Sequence, residues 1–202
     1  MRRRFKPDYL RREFERLGAE LQQPTEGYLI GGGSMSYRDL KVATKDIDLV
    51  VTKPEAMNQI RSALKGLAYR EVQSPSQEYF SLGAQAILEN DDGCRFDIFV
   101  QQVVGTLVFS EGMQQQSEEF LQSGNLTGSL VSPEDVFLFK SVAGRTDDIE
   151  DMSLLVQGGL DFEIIEEEVE DQADLLGEEL FITDVNESLI ELEDRFGVTI
   201  SI

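Results

Sequence analysis

Two aspartates separated by one isoleucine, Asp46-Ile47-Asp48, stand at the mouth of the apolar run that ends at Val51. On a strand, residues two apart project from the same face, about 6.6–7 Å along the chain. Both carboxylates therefore point one way while Ile47 points into the core. A third carboxylate, Asp97, lies between Phe96 and Ile98 in CRFDIFV, residues 94–100, the same alternation on what reads as a neighbouring strand. Like charges gathered in this way repel unless a cation sits between them. Magnesium suits an all-oxygen set, and three carboxylates on adjacent strands can hold two such ions. A pair of metals can activate an attacking hydroxyl and stabilise a departing pyrophosphate.

Upstream, the run Tyr28-Leu29-Ile30 ends in Gly31, Gly32, Gly33 and Ser34. Gly32 and Gly33 have no side chain to keep a phosphate from the backbone, Ser34 adds a hydroxyl donor, and a helix beginning near Ser34 would aim N–H groups at an anion. No Gly-Lys-Ser/Thr follows, so this is not a Walker loop. A looser reading makes the glycines a plain turn. The absence of histidine and the single cysteine, Cys94, close off zinc sites and Ser-His-Asp or Cys-His chemistry. Cys94 reads as a small buried hydrophobe in a chain suited to a reducing cytoplasm.

The elements that must carry these residues follow from periodicity. Leu10, Phe14, Leu17 and Leu21 mark a helix over 7–21 that Pro24 ends, and Pro54 opens another with Met57, Ile60, Leu64 and Leu67. Strands are expected at 28–30 and 47–51, with a hairpin pairing 84–88 and 96–100 across Asn90-Asp91-Asp92-Gly93. A last strand is expected at 128–131. Ser132-Pro133-Glu134-Asp135 is a helix cap with proline at the first helical position, and the chain reads as helical from there to about 196. The expected fold class is α+β: a mixed sheet flanked by helices over 1–131, then a helical part over 132–202. Within the latter, 132–155 completes the site and 158–202 is an acidic extension.

With 202 residues there is enough chain for a full core, and no stretch has the roughly 20 apolar residues of a membrane span. The basic start lacks the apolar segment of a secretory signal. Charge is the loudest compositional feature: 39 acidic residues against 18 basic, net −21. A dense carboxylate surface stays hydrated and is screened at molar salt, which points to a salt-loving source. Residues 1–16 carry seven basic side chains, whereas 146–202 carry 19 acidic ones and a single arginine. The basic helix is either a resting place for RNA phosphates or a staple against the acidic C-terminal helices.

Gly33-Ser34, followed after eleven residues by Asp46-Ile47-Asp48 and later by Asp97, resembles the signature of the polymerase-β-like nucleotidyltransferases. SPEDVFLFKSVAGRTDDIEDM, residues 132–152, is similar to the helical segment of the AbiEii-like, toxin-type members, and Lys45 fits their T-K-D-hydrophobic-D form. The resemblance spans roughly residues 25–155. It implies an NTP substrate such as ATP, two magnesium ions on Asp46, Asp48 and Asp97, and phosphate binding by Gly32, Gly33 and Ser34. Lys140 would contact phosphate as a further catalytic group, with Lys45, Arg145 and Asp148 lining or ordering the nucleotide pocket. From the residues alone, Lys140 also reads as a snorkelling surface lysine, and Arg145 as a helix-cap partner of Asp148 or Asp151. The implied reaction moves a nucleotidyl group to a hydroxyl acceptor in the cytoplasm: a tRNA 3′ end, a protein side chain, or a small molecule such as an aminoglycoside. A cognate antitoxin is the implied protein partner. The rival reading is a non-catalytic interaction module of the same fold.

Overall fold

Residues 2–72, 83–176 and 180–200 are described by a computed structural model of the chain. A seven-stranded mixed sheet runs β3-β4-β5-β2-β1-β9-β8, with β1 Thr25–Leu29, β2 Asp46–Val51, β3 Arg70–Glu71, β4 Ala86–Glu89, β5 Arg95–Val100, β8 Glu118–Ser123 and β9 Leu126–Leu130. A two-stranded ribbon, β6 Gln102–Val103 and β7 Leu107–Val108, stands apart from it. The central trio fixes the site: β2 runs antiparallel to β1 and parallel to β5, and Asp48 lies directly opposite Asp97.

Strand alternation sorts the apolar side chains into two cores. On one face Ile47, Leu49, Val51, Phe96 and Ile98 pack under α1 (Pro7–Glu20) and α3 (Pro54–Gly66), whose Leu10, Phe14, Leu17, Ile60 and Leu64 are fully buried. On the other, Val50 and Phe99 join Ile30 and Met35 of the α2 region (Gly31–Tyr37) and the C-terminal helices. Asp46, Asp48, Arg95 and Asp97 share the face of Val50 and Phe99, because each lies an even number of residues from the one on its own strand and those two are in register.

The C-terminal helices are α5 (Pro133–Ala143), α6 (Thr146–Gly158), α7 (Phe162–Leu176) and α8 (Leu180–Phe196), preceded by the short α4 (Glu111–Gln116). Helix α5 begins as expected: the Ser132 hydroxyl accepts from the Asp135 N–H and donates to its carboxylate at 2.7 Å. Seven consecutive residues of α5, Asp135 to Ser141, are buried. A helix covered all round is a core element, here held between α2, α6, α7 and α8.

Three expectations change. The strand expected at 128–131 runs 126–130 and sits inside the sheet, parallel to β1, with the unanticipated β8 on its outer edge. Helix α2 starts at Gly31 rather than near Ser34. The basic N-terminus is not a staple against the acidic helices among the described residues. Arg11 pairs with Glu15, Arg12 and Arg16 with Glu13, Arg3 with Asp92, and Arg2 with Asp46 and Glu89. Among the described residues no helix is long and apolar enough to cross a membrane.

Candidate active site

Where β1 ends and β2 and β5 begin, a cavity of about 600 Å³ opens between the sheet and α5–α6. Its floor is the set of side chains that strand alternation aims out of the sheet. Asp46 lies opposite Arg95 and Asp48 opposite Asp97, so two adjacent strands present three carboxylates and one guanidinium. Arg95 contacts Asp97 at 2.6 Å and Asp46 at 3.4 Å. Arg2, brought over the floor by the bridge between Phe5 and Thr44, contacts Asp46 at 2.6 Å.

Burial and like charge raise the acids. Asp97, 2 % exposed, is pushed up to about 8 by desolvation first and by Asp48 second, with Arg95 offsetting part of this. Asp48 is pushed up to about 6 by desolvation and by Asp46, against the pull of Arg145, Lys140 and Arg95. Oδ1 of Asp97 is buried and accepts no hydrogen bond. An orphaned acceptor beside two like charges is a place that a cation would satisfy.

The rim beside Asp48 is glycine for a steric reason. Gly31 has φ +58, and a Cβ there would stand 2.8 Å from the Asp48 carboxylate. Gly31 and Gly32 line the cavity. Gly33 and Ser34 do not. The earlier start of α2 turns them inward: a Cβ on Gly33 would meet Leu29 at 2.7 Å, and the Ser34 hydroxyl donates to the Val131 carbonyl at 3.0 Å and accepts from Arg38 at 2.6 Å. The Ser34 N–H is also taken, by the Ile30 carbonyl.

The opposite wall is helical and alternates in charge. Lys140, 6 % exposed on α5, donates to Asp148 at 2.9 Å and contacts Asp151 at 2.7 Å. Burial alone would depress this lysine, but Asp148 and Asp151 hold it above its ordinary value. Arg145, at the N-cap position of α6, donates through Nε and a terminal nitrogen to Asp148, whose carboxyl stays low despite burial because Lys140 and Arg145 flank it. Lys41 chelates the Asp151 carboxylate at 2.6 and 2.7 Å, and Lys45 donates to Asp147 at 3.1 Å.

Asp46, Asp48, Asp97, Lys140, Lys45, Arg145, Asp148 and Gly32 thus meet in one cavity, with Gly33 and Ser34 outside it. Lys140 is not a snorkelling surface side chain, and Arg145 takes Asp148 rather than Asp151. Sequence reasoning passed over Arg95, although its place two residues before Asp97 puts it on the same strand face. Arg2 carried no such signal. Among the described residues no group of three or more His, Cys, Asp or Glu side chains is arranged to hold a metal ion. Arg95 stands between Asp46 and Asp97, and Arg2 between Asp46 and Glu89.

A mixed sheet with acids on two neighbouring strands, a glycine turn beside them and a helical wall opposite is the nucleotidyltransferase-like fold. The family model described as "Nucleotidyltransferase of unknown function (DUF6036)" matches residues 10–194, and the chain belongs to that family. The match extends well past the 25–155 covered by the sequence resemblance and takes in α7 and most of α8. Among solved structures the chain is similar to ANT(2")-Ia in complex with adenylyl-2"-tobramycin, at 17 % identity and TM-score 0.54, covering 82 % of this chain and 96 % of that one. An antigenic nucleotidyltransferase-like protein from Paracoccidioides brasiliensis also matches, at 14 % identity and TM-score 0.46, over 97 % of this chain and 100 % of that one. No curated protein matches the sequence.

Proposed function

We propose that the protein transfers a nucleotidyl group from an NTP to a hydroxyl acceptor and releases pyrophosphate. One observation carries the reading: Asp48 and Asp97 in register on adjacent parallel strands, with Asp46 on the same face and the Gly31 turn against Asp48. The unpartnered Asp97 oxygen and the upward displacement of Asp48 and Asp97 fit a divalent cation such as magnesium. Asp46, Asp48 and Asp97 would hold it, once Arg2 leaves Asp46. Bound there, magnesium would polarise phosphoryl oxygens and make the acceptor hydroxyl more acidic.

The chain's own groups then divide the remaining work. Asp97, which desolvation raises in the metal-free protein, would be ionised by a cation bound beside it and would then take the acceptor proton. Lys140 and Arg145 present fixed positive charge where pyrophosphate charge develops. Their carboxylate partners keep them in place before substrate arrives. Gly31 and Gly32 leave room for phosphates against the backbone, a role the sequence pattern assigned to Gly33 and Ser34 as well.

The acceptor is narrowed only to a hydroxyl. The adenylylated tobramycin in the similar solved structure is an aminoglycoside, so small polyhydroxylated amines belong in the test beside tRNA and protein. The toxin role and cognate antitoxin rest on the sequence resemblance alone. The binding-module reading draws on one observation, the two guanidiniums already neutralising the carboxylate floor.

Incubation with each α-labelled NTP and magnesium, in the presence of tRNA, total protein or aminoglycosides, tests both readings. Label should pass to one acceptor class and vanish with the double change Asp46→Asn, Asp48→Asn. No transfer to any class, with no binding of magnesium-NTP, would overturn the enzyme reading.

A further inference from the structure

Lys41 lies on the turn after α2, Lys140 on α5 and Asp151 on α6. Three separate elements therefore converge on a single carboxylate. Lys41 Nζ lies 2.6 Å and 2.7 Å from the two Asp151 oxygens, and Lys140 Nζ lies 2.7 Å from Oδ2. Both ammoniums thus share one oxygen, and the two nitrogens stand no more than about 5.4 Å apart. The Asp151 side chain is 7 % exposed and that of Lys140 8 %, whereas Lys41 keeps 25 % exposure at the cavity. All three line the cavity that holds the acidic floor.

We infer that Lys41 and Lys140 form a paired-ammonium cradle for the phosphate tail of the nucleotide, and that Asp151 is the positioning residue that holds the pair together. The inference deepens the nucleotidyl-transfer reading and rests on it. Two ammoniums this close repel, and without the carboxylate between them Lys41 would swing to solvent. Each ammonium has three N–H donors. Lys140 directs one to Asp148 and one to Asp151, which leaves one, and Lys41 retains at least one beyond its chelate. The spacing lets the spare donors reach one phosphate or two adjacent ones. Asp151 therefore spends its charge on geometry: it cancels the repulsion within the pair and leaves donors on both sides of the cavity wall.

Calorimetric titration of the full chain with magnesium-ATP, and without metal with inorganic tripolyphosphate, tests this. Lys41→Gln should weaken both ligands about tenfold, the loss of one charge-assisted hydrogen bond, and lower the melting temperature less than Asp151→Asn does. Lys41→Arg should recover most of the affinity, which a merely structural defect would not allow. Asp151→Asn should weaken both ligands similarly while lowering the melting temperature. Wild-type affinity in Lys41→Gln, or a destabilised Asp151→Asn that still binds normally, would overturn the cradle and leave nucleotidyl transfer standing. A wild-type protein that binds neither ligand would overturn both.

Discussion

Replacing Lys140 with methionine keeps an unbranched apolar stem in place and deletes the ammonium. In the native chain that ammonium is buried between Asp148 at 2.9 Å and Asp151 at 2.7 Å. Removing one partner of a buried pair strands the other charge, a loss of about 3–5 kcal/mol in dry sites. Two features soften it here. Asp148 keeps Arg145, and Asp151 keeps Lys41, so neither carboxylate is left alone, and methionine preserves the packing of the stem. About 2 kcal/mol is the expected net destabilisation. For a chain of this size that lowers the melting temperature by about 4–8 °C.

The pH dependence of this loss has a defined sign. Lys140 is raised in the folded state, so its contribution is complete below the unfolded lysine value and fades only as pH rises through the folded one. Asp148 is lowered, so its share is present above the ordinary carboxylate value and fades as pH falls through the folded one. Between about pH 5 and pH 10 neither Lys140 nor Asp148 titrates, so the penalty of Lys140→Met should vary there only through Asp48, which Lys140 also pulls down. Scanning calorimetry across that range measures it. The double change with Asp148→Asn should cost at least about 1 kcal/mol less than the two single losses combined, since the groups share a network. A surface lysine would give a change within about 0.5 kcal/mol. A melting temperature that does not move, or strict additivity of the two changes, would refute the buried clasp.

Other consequences follow from the floor and the surface. Asp97 is raised to about 8, so its contribution is present below the ordinary carboxylate value and is lost as pH rises through about 8; the metal-free protein should lose thermal stability from pH 5 to pH 9, and Asp97→Asn should flatten that slope. An unaltered slope in the variant would assign the effect elsewhere. Arg2→Gln frees Asp46 and should tighten magnesium binding several-fold by calorimetry; equal affinity would show that Arg2 does not compete. With net charge −21, the melting temperature should rise between 0.05 M and 2 M KCl as the Debye length shrinks several-fold, and equal values would remove the salt-loving reading.

What could be read in advance is what depends on period and local chemistry. The Asp46-Ile47-Asp48 alternation carries its own geometry, because an apolar residue between two acids has only one face to choose when the other is core. Asn90 to Gly93 announced its hairpin, and β4 and β5 pair across it. Ser132 capped the helix it was expected to cap. The misses are tertiary. Strand β8 reads EEFLQS, and of these residues only Leu121 is fully buried, the mark of an edge strand with little pattern to find. Whether β9 pairs beside β1 is decided by the whole sheet. At the glycine run α2 starts at Gly31, three residues early and with positive φ there, and Gly33 and Ser34 lie buried in the helix rather than on the cavity. Arg2 reaches Asp46 only because Phe5 bridges Thr44, a contact between segments about 40 residues apart that no local period encodes.

The acidic excess, read from composition as a solvated skin, does a second job inside. Asp147, Asp148 and Asp151 on α6 each take a cation that belongs to another part of the chain or to the helix junction: Lys45, then Arg145 with Lys140, then Lys41 with Lys140. Unpaired, four cations on one cavity wall would repel one another and keep their hydration, and their long side chains would sample many rotamers. Paired, they stand fixed across from three carboxylates. The floor is the inverse case, acids paired with cations: Arg95 with Asp97 and Asp46, and Arg2 with Asp46. Each wall is thus nearly neutral by itself, and each can release charge to a ligand of the matching sign: a cation on the sheet, an anion on the helices. Under the proposed function a metal-bound nucleotide would carry both and would displace the internal partners on the two walls together, which would make α6 as much a part of the site as the strands that carry the aspartates.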